Sequence, residues 1–182
     1  FENSLIYGAA DGNSYMEITK NFPYFKENGY AVSHNQRFLF PYLVGLISFL
    51  TDVDPFSSYR LFTSILLFVL VYLLIRILNL IELNLTDKII AVGLIIFNPY
   101  IFRYYLALPT LINDVTFLLS VELLILGFLI KSKKITIFAI VVGIFSRQTA
   151  IFYLFAILIN KFLFKNSFFN KKNIFYIIIL FT

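Results

Sequence analysis

YRLFTSILLFVLVYLLIRILNLI, residues 59–81, decides the fold class. After Arg60 at its head the run is aliphatic and aromatic except for Thr63, Ser64, Arg76 and Asn79, and Arg76 is the charge inside its apolar body. A helix rises about 1.5 Å per residue, so this stretch is long enough for the ~30 Å hydrocarbon core of a bilayer. It reads as a full transmembrane helix.

The same pattern continues toward the C-terminus. Residues 89–102 read as a second span, kinked or ended by Asn98-Pro99. Residues 103–113 read as a short aromatic loop containing Pro109, and 115–130 as a third span. Residues 135–164 are apolar except for Ser146-Arg147-Gln148-Thr149 at their centre, and a further span begins at Ile174. Upstream, residues 38–50 are apolar but reach only ~20 Å as a helix, too short to cross. They read as an interfacial helix lying on the membrane. Residues 51–58 read as a loop, with Asp54 or Ser57 available to N-cap the first span. The expected architecture is all-α: an exterior segment, 1–58, with short juxtamembrane helices, then a polytopic transmembrane bundle, 59–182.

Composition agrees. Of 182 residues, 60% are hydrophobic and 14% charged, against about 45–50% and about 25% in an ordinary soluble domain. The formal charge of +5 does not mark a nucleic-acid binder, because most Lys sit in short loops between apolar runs. The chain has no Cys, which excludes disulfides and thiolate metal sites, and His34 is its single His. It begins at Phe1 without Met and stops inside the apolar run from Ile174 to Thr182. It therefore reads as a fragment, lacking a preceding helix and a C-terminal part.

Loop charge sets the orientation. Lys131, Lys133 and Lys134 place their loop in the cytoplasm, and Lys161, Lys165, Lys171 and Lys172 place the next one there. Counting back, 103–114 lies outside, 82–88 inside and 1–58 outside. Residues 135–164 must then go out and return, as a hairpin with Arg147-Gln148 at its tip. A single tilted helix over 135–164 also fits the length.

The polar stretch from Ala10-Asp11-Gly12-Asn13-Ser14-Tyr15 to about Pro41 is the natural place for aqueous chemistry. Asp11 is either the N-cap of a short helix, about 13–21, ending before Pro23, or a base at the membrane surface. Asp114 follows Asn113 at an outer span end, again as a cap or as a second acidic group meeting Asp11 in one site. Arg37, Arg60, Arg103 and Arg147 all fall on the exterior side, against the usual bias. Arginine forks fit phosphate oxygens, so these four point to an anionic ligand, unless they snorkel to headgroups. Arg147, with Gln148 beside it, interrupts a long apolar run. Glu122 sits in mid-span, where a carboxyl is expected either to pair with an Arg or to border a cavity. His34 is either solvated or an acid, base or phosphate donor. The Tyr and Phe of 22–42 and 99–105 read as an interfacial aromatic belt, some lining a sugar or lipid groove.

In this order the features resemble the GT-C superfamily of polytopic membrane glycosyltransferases, in particular its bacterial dolichyl-phosphate-mannose mannosyltransferase-like branch. The carrying motifs are Ala10-Asp11-Gly12-Asn13-Ser14-Tyr15 as the first-loop acid and Arg37-Phe38-Leu39-Phe40-Pro41 as the juxtamembrane helix. Tyr59-Arg60-Leu61 heads a span. Asn98-Pro99 with Asp114 is similar to the second exterior acidic element, and 143–150 to the small-residue segment with a basic residue. The resemblance implies sugar transfer from a polyprenyl-phosphate-linked donor to an exterior glycan, lipid or protein acceptor, in the bacterial cytoplasmic membrane. Asp11 would be the general base. Arg147 with one or more of Arg37, Arg60 and Arg103 would hold the departing lipid phosphate, with inversion at the anomeric carbon. No nucleotide is required, in keeping with the absence of a Gly-rich phosphate loop. A divalent metal, used by some relatives, would draw on Asp11 and Asp114. The loop reads Asp-Gly-Asn where many members pair two acids, and a hard cation needs more oxygen ligands than these. Two other classes fit the same sequence: a transporter or lipid flippase using Glu122 and Arg147, and a membrane subunit without chemistry.

Overall fold

The computed structural model describes residues 10–25, 36–153 and 155. All regular structure among them is helical: α1 (Ala10–Lys20), α2 (Leu39–Thr51), α3 (Pro55–Leu80), α4 (Leu85–Phe97), α5 (Ile112–Leu129) and α6 (Lys133–Ser146). A π-helical turn (Pro99–Arg103) and one α-turn (Tyr104–Ala107) extend α4. Short 3-10 turns at Pro109–Leu111 and Gln148–Ala150 precede α5 and follow α6.

Three helical runs are long and apolar enough to cross a membrane: Pro55–Leu80, Leu85–Ala107 and Pro109–Leu129. The starts of the first two are set by side chains that satisfy the open N–H groups of a first turn. Asp54 Oδ2 accepts from the Ser57 N–H at 2.9 Å, with Pro55 behind it, and Asn84 Oδ1 accepts from the Asp87 N–H at 2.8 Å. Asp52, Glu82 and Lys131 take left-handed φ of 54°, 61° and 55° just past α2, α3 and α5. At the last of these, Ser132 N–H reaches back to Gly127 O at 2.9 Å, the six-residue bond of a left-handed helix stop.

The long helices run up and down. One end carries the starts of α3 and α5 and the ends of the α4 extension and α6. The Lys131 end carries the reverse turns at 81–84 and 130–132. Two apolar clusters match these levels. Toward the Lys131 end, Leu74, Ile77 and Leu78 of α3 pack with Ala91 and Ile95 of α4 and Ile125 and Leu126 of α5. At the other end Tyr15, Met16 and Ile18 of α1 pack with Val44, Tyr59 and Ile112. α4 is peripheral: Ala91 and Ile95 are its buried residues, whereas α5 buries ten.

Several boundaries differ from the sequence reading, each for a local reason. α1 starts at Ala10, so Asp11 lies inside the first turn and not ahead of it; a carboxylate is favourable there too, near the positive end of the helix dipole. Residues 55–58 join α3 because Asp54 caps it. The second span begins at Leu85 and continues beyond Asn98-Pro99, because Asn98 Oδ1 accepts from the Tyr100 N–H at 2.8 Å and restarts the helix. Arg103 is therefore helical, and 103–113 is no loop. α5 begins at Ile112 with no side-chain cap, which removes the capping role from Asp114. A single helix over 135–164 is excluded, since α6 ends at Ser146 and Arg147 is extended (φ −149°, ψ 137°). The chain turns there and brings Ala150 back beside Gly143, where an added Cβ would lie 3.0 Å from that of Ala150. The rest of that arm, the span from Ile174 and His34 lie outside the described residues.

Candidate functional site

α5 and α6 approach closely because small residues face each other. A Cβ on Gly127 would meet Thr136 Oγ1 at 2.7 Å, and one on Gly143 would meet Ser120 Oγ at 3.1 Å. With side chains this short, van der Waals contact and interhelical hydrogen bonds hold the pair, as is usual for apolar helices in lipid. Ser146 Oγ bonds Thr116 Oγ1 at 2.9 Å, and Ser120 Oγ lies 3.0 Å from Tyr153 OH. This seam fixes where Arg147 emerges.

There Arg147 meets Asp114, 33 residues earlier. The guanidinium approaches side-on: Nε at 3.0 Å and Nη2 at 2.6 Å both donate to Oδ1. Its carbon stands 5.7 Å from the centre of the Phe117 ring. Arg147 lies past the end of α6. Partial burial works against its charge, but the Asp114 bonds outweigh that and raise its pKa. Both side chains keep access to solvent, at 39% for Arg147 and 23% for Asp114. Among the described residues, Asp114 Oδ2 and Arg147 Nη1 have no hydrogen-bond partner.

Two tyrosines face this pair. Tyr105 is within electrostatic reach of both charges, and Tyr15 of Arg147. Tyr15 is held by a buried network in which Tyr59 OH donates to Tyr15 O at 3.0 Å and lies 2.7 Å from Thr19 Oγ1. Thr19 Oγ1 is also 2.8 Å from Pro41 O. The network ties α1 to α2 and α3. Asp11 is exposed, one turn before Tyr15 and on the same face of α1.

Beside Asp114, the fully buried Asn113 donates from Nδ2 to Arg37 O at 3.2 Å. Its Oδ1, and Nε of Arg37, are buried without a partner among the described residues. Buried polar atoms are nearly always paired, so two orphans in one locality stand out.

The remaining candidates are dispersed. Arg60 is exposed, 5.1 Å from the centre of the Phe56 ring. Arg103 and Gln148 are exposed at the same end. Glu122 makes no pair with an Arg: its Oε2 is buried without a partner among the described residues, on a helix whose neighbouring residues Val121, Leu123 and Ile125 pack into the apolar cluster. Among the described residues no three His, Asp or Glu gather. Among these residues Asp114 is engaged by Arg147 and belongs to no such group to hold a divalent cation.

Sequence reasoning passed over Tyr15, Tyr105 and Asn113. Tyr15 was signalled by its spacing from Asp11, and Asn113 by adjacency to Asp114. Tyr105 was absorbed in the aromatic belt. No protein-family model matches the chain, nor does any curated protein or solved structure. The functional reading therefore rests on the residues themselves.

Proposed function

We propose that the chain is part of an integral membrane glycosyltransferase of the GT-C kind, moving a sugar from a polyprenyl-phosphate-linked donor to an acceptor outside the membrane. The observation that carries this reading is the convergence of Tyr15, Arg37, Tyr105, Asp114 and Arg147 at one end of apolar helices. That combination of carboxylate, guanidinium and aromatic hydroxyl groups suits a ligand with a charged lipid end and a hydroxylated end.

In this scheme Asp11, exposed on α1, takes the proton from the acceptor hydroxyl as that oxygen attacks the anomeric carbon. The bond to the lipid phosphate breaks on the opposite face, which inverts the carbon. The departing phosphate is held by guanidinium groups. Arg37 is foremost, because its Nε has no partner among the described residues, with Arg60 and Arg103 at the same end; Arg147 joins only in competition with Asp114. The bilayer end carrying these groups faces the exterior. In the full-length protein, Asp11→Asn is expected to abolish transfer and leave lipid-phosphate binding intact, whereas Arg37→Gln weakens that binding. If Asp11→Asn transferred sugar at the wild-type rate, the assignment of the base would be wrong.

A transporter is the second reading, favoured by Glu122 Oε2 in mid-span, buried and without a partner among the described residues. It predicts the greatest loss of function at Glu122→Gln, with little at Asp11→Asn.

A further inference from the structure

We infer that the Asp114–Arg147 pair recognises two neighbouring hydroxyl groups of a sugar, and not the phosphate. The inference rests on the transferase reading only in calling that sugar part of the donor or acceptor; the diol chemistry comes from the pair itself.

Charge is the first argument. Asp114 cancels Arg147 at 2.6 Å, so an incoming phosphate would face a carboxylate as well as a guanidinium. Like charges at such range oppose binding. An anion is better served by Arg37, whose guanidinium makes no ion pair among the described residues.

The open atoms are the second. Because both bonds from Arg147 converge on Oδ1, Asp114 keeps Oδ2 as an acceptor and Arg147 keeps Nη1 as a donor. The open oxygen accepts and the open nitrogen donates, so between them they serve one hydroxyl that donates and another that accepts. A phosphate, rich in acceptors, uses only the donor. Both side chains are partly exposed, so a ligand can reach them.

The surroundings are the third. Tyr105 lies within electrostatic reach of both members of the pair, and its partly exposed side chain extends the hydroxyl-binding surface with a polar group carried on an apolar ring.

Saturation-transfer NMR on the detergent-solubilised full chain tests this, with methyl hexopyranosides, methyl pentopyranosides and their single-deoxy analogues as probes. Wild type should transfer saturation to the ring protons of at least one glycoside, and removing one of two adjacent hydroxyls should weaken it. Asp114→Asn turns the open acceptor into a donor and should weaken binding about tenfold or more, a change of about 1.4 kcal/mol. Tyr105→Phe removes one hydroxyl with little risk to folding and should weaken it several-fold. Inorganic phosphate should not displace the glycoside. Absence of signal from every glycoside with wild type, displacement by inorganic phosphate, or unchanged binding in both variants would overturn the inference. Polyprenyl phosphate added separately distinguishes the two proposals: its failure to bind would count against the transferase and leave the glycoside result standing.

Discussion

At Tyr59 one buried hydroxyl joins three segments of chain, contacting Thr19 Oγ1 and Tyr15 O while Thr19 also touches Pro41 O. Tyr59→Phe leaves those partners without it in a place that water does not reach. The expected cost is about 1–3 kcal/mol, read as a lower midpoint of thermal unfolding in detergent. Ser57, exposed and outside the network, serves as the control, with Ser57→Ala close to wild type. The same scale shows what single residues disclose in sequence. Asp54 and Asn84 announced or allowed their caps because a cap is a local event. The partner of Asp114 was not legible, because nothing near residue 114 reveals that the chain will return with Arg147 at its side.

At the scale of the helix, glycines separate close approach from open surface. A Cβ on Gly45 would lie 2.8 Å from Thr19 O, and one on Gly127 would lie 2.9 Å from Thr136 N. Both neighbours are backbone and cannot swing aside. Gly45→Ala and Gly127→Ala should each destabilise, by about 1–3 kcal/mol, by forcing α1 from α2 and α5 from α6. Gly93 has only Phe97 Cδ2 near, at 3.9 Å. Gly93→Ala should be neutral or stabilising, by up to about 1 kcal/mol from helix propensity. Lys131→Gly should likewise stabilise, since φ of 55° burdens a side chain. Differential scanning fluorimetry of the four variants ranks them. Hydropathy and length made the long helices legible. The restart of the helix after Asn98-Pro99 was not, because it depends on one side chain bonding two residues ahead.

For the whole molecule, the claim is one of sidedness. α3, α5 and the turn after α6 bring Tyr59, Asp114 and Arg147 to one end, with Lys131 at the other. The chain has no native Cys, so single cysteines report position cleanly. Ser57→Cys should react with an impermeant maleimide from outside intact cells, and Lys131→Cys only after permeabilisation; the reverse pattern would turn the site to the cytoplasm. The gathering of Arg37, Asp114 and Arg147 is a property of packing, reached through Asn113 and the α5–α6 seam. Sequence supplied the residue types and their common side of the bundle, while their pairing needed three dimensions. The most direct measurement of the central claim is sugar transfer by full-length protein supplied with polyprenyl-phosphate hexoses and pentoses, comparing wild type, Asp11→Asn and Glu122→Gln. The account predicts transfer by wild type and Glu122→Gln and none by Asp11→Asn. Transfer undiminished in Asp11→Asn, or activity lost only in Glu122→Gln, would contradict it.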